Sequence, residues 1–458
     1  MTRAGTSYGM SPWLPPRLRA PAVNGARPIR ASTWYGAVVH LILAAAVMTF
    51  ASGDRLAAQE GVTVTPTVFR RFGDRVVRIQ VVEAASAAKV SVGSGFFIDD
   101  EGRLVTNYHV IAELVHDAAR YRAELGEGTT PGDTVTILAI DVVHDLAILQ
   151  AARRPRPHFT LGPTPVHQGD RLYSLGHPHD LGLSIVEGTY NGLLSHTLYP
   201  KLHFTGSLNP GMSGGPTITS AGHVVGINVS TAGNQVSFLV PVDRAIALAA
   251  TTAGPEYQMP SRLLEDVGSQ IHAYQDVYLE DLFRDTTKMV DLGPFRVPTE
   301  PAAFFRCWGD VPDGRDLPYE RAQHRCSTDD EVYIAHDQQS GVVDLTHELI
   351  TTTSLNASRF YRLYGSIFQI DNTPPGREEH VTTWRCSTRN ILNAITPLRT
   401  VLCLRAYVKL EGLYDGVVKV AVLGRRDAGL VSTLELSGVS FENIERLAAR
   451  FLEQFAWR

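Results

Sequence analysis

Between about residues 62 and 250 the apolar positions fall in short runs: "RVVRIQVV" (75–82), "SGFFI" (94–98), "TVTILAI" (134–140), "LAILQ" (146–150), "RLYSLG" (171–176), "HVVGINVS" (223–230) and "VSFLVPV" (236–242). Gly, Pro, Asp and Asn punctuate them, and helical spacing is scarce. Many short strands separated by turn residues predict a barrel or sandwich, and the length suits two small barrels packed together. After 250 the period changes. "SRLLEDVGSQIHAYQDVYLEDLF" (261–283) places Leu264, Val267, Ile271, Tyr274, Tyr278 and Leu282 at steps of three or four, which predicts a helix. Packing on its own chain suits it better than a coiled coil, which would have only about three heptads to work with. "GPFRVPTEP" (293–301) then marks a boundary. Beyond it, strands run into a helix twice. "VYIAH" and "GVVDLTHELITTT" precede "NASRFYRLYGSIF"; "VLCLRAYVKL", "GVVKVAVLG" and "LVSTLELS" precede "SFENIERLAARFLEQF". In the last helix Phe441, Ile444, Leu447, Ala448 and Phe451 form an apolar stripe and Ser440 is a candidate N-cap. The expected fold is an all-β double barrel over 62–250, a helical linker over 255–300 and a smaller α+β domain over 302–458, read as two βα repeats.

The first 58 residues stand apart. Arg3, Arg17, Arg19, Arg27 and Arg30 occur with no acidic residue among them, ahead of the apolar "GAVVHLILAAAVMTFA" at 36–51 and small residues after it. Basic flank, apolar run and small residues read as an export signal cleaved near 53–58, with a retained membrane anchor as the alternative. Either reading places the rest of the chain outside the cytoplasm, in the periplasm or beyond. At 458 residues the chain exceeds one ordinary core. A net charge of −5 is small for that size and points to no nucleic-acid partner. The four cysteines all lie in the C-terminal third, and Cys307–Cys326 and Cys386–Cys403 have similar separations. Duplication makes those two disulfides the favoured connectivity of the three that four cysteines allow, and export supports oxidation. A zinc site built from His324 and the cysteines would lack C-x-x-C spacing.

Chemistry concentrates in three places. "NPGMSGGPTI" (209–218) crowds glycine and proline around Ser213, a composition that no strand interior favours. "GSGFFIDDEGRLVTNYHVI" (93–111) sets His109 just after a strand, and "DVVHDLAIL" (141–149) sets Asp145 just before one. A serine hydroxyl needs an adjacent base to become a nucleophile, and imidazole, with an ordinary pKa of about 6.5, suits the task near neutral pH. A carboxylate must then fix the imidazole's tautomer. The glycines allow a bend that points backbone N–H groups, those of Gly211 and Ser213, at an oxygen that becomes negative. His144 and Asp141 compete with the assignment by position. "GHPHD" (176–180), with His177 and His179, resembles a metal-ligand run by composition alone.

Together with "LYSLGHPHDLGLSIVEGTYNGL" (172–193) and "GHVVGINVS…VSFLVPVD", these stretches resemble the chymotrypsin-fold, trypsin-like serine peptidases of the bacterial HtrA/DegP-like type, in the chain order His, Asp, Ser. The resemblance covers about 62–250. It implies His109 as general base and acid, Asp145 as its orienter, Ser213 as nucleophile, and Gly211 and Ser213 as oxyanion donors. It implies a loop at "GHPHD", no metal and no cofactor, and a protein or peptide substrate. The same resemblance puts Ser207 at the base of a substrate pocket with Leu208, Ile227, Asn228 and Val229, an uncharged set that would favour small or medium apolar side chains. After 250 the chain departs from the pattern, for no PDZ-like carboxylate-binding loop follows. A catalytically inactive homologue that binds a partner through its C-terminal domain is the alternative function.

Overall fold

The computed structural model describes residues 64–457 apart from 127–132, 153–155, 195–196, 252–256, 258, 285–287, 312–316, 329–331, 336–337, 370–375 and 394–395. The export signal or anchor expected within 1–58 lies outside the described residues. Among the described residues no helix is long and apolar enough to cross a membrane. The chain from Val62 onward forms one compact unit.

A short helix, α1 (Val64–Phe72), leads into β1 (Val76–Glu83), β2 (Lys89–Phe97), β3 (Arg103–Thr106), helix α2 (Tyr108–His116), β4 (Tyr121–Gly126), β5 (Val135–Asp141) and β6 (Leu146–Ala151). The strands form one sheet in the order β4-β1-β2-β3-β6-β5. Its outer strands approach through a Glu124–Thr134 bridge and a Leu125 N–H donating to Asp133 O at 2.8 Å. Six more strands follow: β7 (Arg171–Gly176), β8 (Ser184–Leu193), β9 (Leu202–Phe204), β10 (Pro216–Ile218), β11 (Val224–Thr231) and β12 (Ser237–Pro241). These close into a barrel. Of the two barrels expected, the second is fully closed and the first is a curled six-stranded sheet. Phe72, Phe96 and Phe159 pack between the two, with Ile227 and Val240 from the second.

Helix α3 (Val242–Ala249) precedes α4 (Pro260–Phe283). The segment expected to be a linker is a core element. Leu263, Val267 and Ile271 of α4 join the core of the first sheet, while Tyr278, Leu279 and Leu282 join that of the C-terminal region. The buried face starts at Leu263 rather than the expected Leu264, which is only partly buried. The hairpin β13 (Lys288–Leu292) and β14 (Phe295–Thr299) follows. Next come β15 (Arg306–Asp310), β16 (Glu320–Ser327), β17 (Val332–Ala335), β18 (Gln338–Ser340), β19 (Val343–Thr351) and helix α5 (Ala357–Ile367). The chain ends in β20 (Arg385–Asn393), β21 (Thr396–Ala406), β22 (Leu413–Val422), β23 (Ala428–Ser440), helix α6 (Phe441–Glu453) and β24 (Ala456–Trp457), which pairs with β14.

Seven of these strands make a single antiparallel sheet, ordered β15-β16-β19-β23-β22-β21-β20. Each edge hairpin carries one disulfide, Cys307–Cys326 and Cys386–Cys403, between directly opposed residues. The two halves expected as repeats thus meet along β19 and β23, but their helices cover opposite faces. Phe360 and Tyr364 of α5 pack on Ile350, Ala421 and Val431, whereas Ile444, Leu447 and Phe451 of α6 share a core with Leu430 and Val420. Ser440 caps α6, its hydroxyl accepting the Asn443 N–H. Phe441, expected in the apolar stripe, is exposed and rests edge-on against Tyr414.

Two histidines sealed in these cores make the fold acid-sensitive. His347 bonds the Pro298 carbonyl and Ser432 hydroxyl, and burial holds its pKa down to about 4. Burial likewise lowers His116 to about 4, with His380, Lys409 and Arg377 adding repulsion and its bond to the Ile334 carbonyl opposing it. Both values lie below the 6.5 of an unperturbed imidazole, so the unfolded chain takes up protons that the folded chain refuses. Stability is therefore intact above about pH 6.5 and falls as pH drops toward 4, by about 3 kcal/mol per histidine at the limit. Urea midpoints measured from pH 7.5 to 4 should show that decline, and His347→Gln should remove about half of it.

Candidate active site

The imidazole of His109 is set by the helix that carries it. Asn107 is the N-cap of α2, with extended backbone, so His109 falls in the first turn, where the helix leaves β3. The Asn107 amide donates to the Asp145 carbonyl at 2.7 Å, tying the helix start to the turn before β6. Asp145 occupies the left-handed region (φ 54°), which an Asp tolerates better than most residues. It is 1% exposed. One carboxylate oxygen accepts the His109 backbone N–H at 2.8 Å and the other lies 2.6 Å from His109 Nδ1. A buried carboxylate accepts, so Nδ1 carries the proton and Nε2 is left as the basic nitrogen. The competing pair is resolved by geometry. His144 Nδ1 bonds Asp141 at 2.8 Å, and its ring packs edge-on against Tyr199.

Ser213 lies on the loop between β9 and β10, and the loop's shape requires its glycines. Gly214 has φ +83°, and a Cβ there would sit 2.2 Å from the Ser94 carbonyl. Gly211 has φ +95°, and a Cβ there would sit 2.5 Å from the His177 carbonyl. Ser94, which sequence reasoning left out although it sits in the quoted "GSG", is the brace of this loop. Its N–H donates to the Ser213 carbonyl at 2.7 Å, its hydroxyl donates to the Gly211 carbonyl at 2.7 Å, and that hydroxyl accepts the His177 N–H at 2.9 Å. Pro210 O is engaged by the His179 N–H at 2.9 Å. The N–H groups of Gly211 and Ser213 make no hydrogen bond among the described residues. "GHPHD" is accordingly a loop that shapes the serine turn. Burial lowers the pKa of His177 to about 4, aided by Arg78.

His109, Gly211 and Ser213 line one open cleft with Leu208, Asn228 and Val229. The expectation of three side chains joined by hydrogen bonds is met for Asp145 and His109 only. In this structure the Ser213 hydroxyl donates to the Val229 carbonyl at a long 3.4 Å. The expected pocket is also narrower than its residue set. Ile227 is fully buried in the inter-barrel core and does not line the cleft. Ser207 bonds Asn234 at 3.2 Å and is not among the lining residues. Asn228 works mainly as a strut, accepting from Ser174 and Thr217 and donating to Leu175 and Met212 carbonyls. Among the described residues the single cluster with metal-ligand geometry is Cys307, His324 and Cys326, whose sulfurs are joined to each other in a disulfide.

Residues 93–227 match the model of the trypsin-like peptidase domain. "Serine protease HTRA2, mitochondrial" from Bos taurus is 33% identical over 165 residues, covering 34% of this chain and 35% of its own. "Probable periplasmic serine endoprotease DegP-like" from Halomonas elongata is 30% identical over 205 residues, covering 40% of this chain and 41% of its own. A solved structure titled "Crystal structure of Deg5" shares 27% identity over 40% of this chain and 91% of its own, with a TM-score of 0.35. Residues 93–227, which lie across both β units, thus match a trypsin-like peptidase domain, and this part of the chain is similar to HtrA- and DegP-like serine proteases. The chain spans little more than a third of the length of the first of these curated relatives and about two fifths of the second.

Proposed function

We propose that the protein is an exported serine endopeptidase working through Ser213, His109 and Asp145. The observation that carries the reading is the buried Asp145 carboxylate 2.6 Å from His109 Nδ1, in a cleft shared with Ser213. Rotation about the Ser213 side chain takes its hydroxyl from the Val229 carbonyl toward His109 Nε2; loose apo geometry of this kind is common before substrate arrives. Nε2 takes the hydroxyl proton as Oγ attacks the peptide carbonyl, and Asp145 stabilises the imidazolium. The carbonyl oxygen becomes negative facing the N–H groups of Gly211 and Ser213, each such donor being worth about 3–4 kcal/mol of barrier. The imidazolium then gives its proton to the leaving amine, which departs and leaves an ester on Ser213. Water, deprotonated by the same imidazole, hydrolyses that ester and restores the serine.

The names of the DegP-like relatives, which include the word periplasmic, support the export expected from the N-terminal segment. A biotinylated aryl phosphonate tests the chemistry. Labelling of the purified full chain that disappears in Ser213→Ala supports the peptidase. A folded wild type that stays unlabelled would favour the binding scaffold.

A further inference from the structure

The cleft is not built by the peptidase domain alone. β17 reads Val-Tyr-Ile-Ala, and strand alternation sends its side chains to two sides. Val332 and Ile334, each 1% exposed, enter the apolar core beside α2. Tyr333 is partly buried at the edge of the same core, where it also reaches the cleft, and its ring centroid lies 4.9 Å from that of His109. The returning strand β18 brings Gln339 to the same cleft.

The hairpin is clamped from both sides. The Ile334 carbonyl lies 2.8 Å from Tyr108 Oη and 2.7 Å from His116 Nε2, so two donors from the His109 helix hold the residue next to Tyr333. On the far side the Gln339 carbonyl lies 3.2 Å from Tyr407 Oη, whose proton goes to Asp415, and Ser340 Oγ donates to the Gly438 carbonyl at 2.9 Å. Tyr333 is therefore a fixed wall.

We propose that Tyr333 is a specificity-determining residue, which restricts the substrate to a small side chain (Gly, Ala or Ser) at the position preceding the residue whose carbonyl is attacked. The proposal rests on the peptidase reading above. The β11 residues Asn228–Thr231 line the cleft together with His109 and Tyr333. A peptide lying extended along β11 alternates its side chains. When the residue under attack turns toward Leu208, the one before it faces the imidazole and Tyr333. A layer of substrate atoms between two rings would need about 7–8 Å, two carbon contacts of 3.5–4.0 Å each. The 4.9 Å between the centroids admits none, so the preceding side chain must pass beside the tyrosine.

The test uses the full chain, titrated with the phosphonate so that rates refer to reactive Ser213, and fluorogenic peptides differing only at the preceding position. Wild type should cleave the Ala peptide about 10-fold or more faster, in kcat/KM, than the Leu or Phe peptide. Tyr333→Phe should keep that ratio and Tyr333→Ala should bring it near unity; Tyr333→Leu reads the same direction with less loss of packing. Equal rates for Ala and Phe peptides in wild type, or a Tyr333→Ala ratio unchanged from wild type, would overturn the proposal while the label still reports a working serine. A uniform rise over all peptides would also overturn it, making the tyrosine a cover rather than a selector. A wild type that never labels would instead remove the peptidase reading itself.

Discussion

Asp145→Asn is expected to lower kcat about 10,000-fold with little change in KM. The asparagine carbonyl can still accept the His109 backbone N–H that Asp145 Oδ1 accepts at 2.8 Å, so the helix start stays in place. Its amide NH2 must then face His109 Nδ1, where the carboxylate oxygen now lies at 2.6 Å. Two donors cannot share that bond. The imidazole shifts its proton to Nε2 and loses the lone pair that would deprotonate Ser213, and the imidazolium loses its counter-charge. Asp141→Asn is the control, since Asp141 serves His144 instead. Steady-state kinetics on a peptide that wild type cleaves decide the matter. A small effect at Asp145 and a large one at Asp141 would reverse the assignment.

The second large effect is on stability. Asp415→Ala is expected to cost about 3–5 kcal/mol, because it takes the carboxylate from a buried cation. Arg405 and Asp415 form a pair at 2.7 Å, each side chain 5% exposed. The second Asp415 oxygen accepts the Tyr407 hydroxyl and the Gly438 N–H, both at 2.9 Å. Alanine removes the acceptor for all three donors at once, the buried guanidinium among them. Asp415→Asn should lose less, since its carbonyl still serves two neutral donors. Urea unfolding at pH 7.5 measures both. A loss below about 1 kcal/mol in the alanine variant would mean that the pair is solvated in practice.

The strands of the β-rich part were legible because hydrophobic runs and turn residues are local signals, and the candidate site stood out because its glycines and its His, Asp and Ser sit in distinctive contexts. The misreadings have physical causes. Ile227 belongs to the inter-barrel core and not to the cleft that its neighbours Asn228 and Val229 line, a division within one strand that a run of apolar positions does not reveal. The buried face of α4 was displaced by one residue at its start, and Gln275 within it was overlooked. Gln275 is 1% exposed, yet apolar periodicity cannot register a polar residue that is buried because it is bonded. Its side chain accepts the Ser440 N–H at 2.7 Å and donates to the Gly438 carbonyl at 3.0 Å. Tyr333 carried the alternation of an ordinary short strand. Nothing local could announce that its ring meets His109, more than two hundred positions earlier in the chain.

Helix α4 has a mechanical consequence. Its 24 residues are rooted at one end among the apolar side chains behind His109 and at the other beneath the disulfide-bearing sheet. Neither half keeps a finished surface if the helix is cut or withdrawn, so warming is expected to dismantle both in one cooperative step. A cell disposing of this protein would need only one breach, anywhere along that rod, to silence the chemistry and the appendage together.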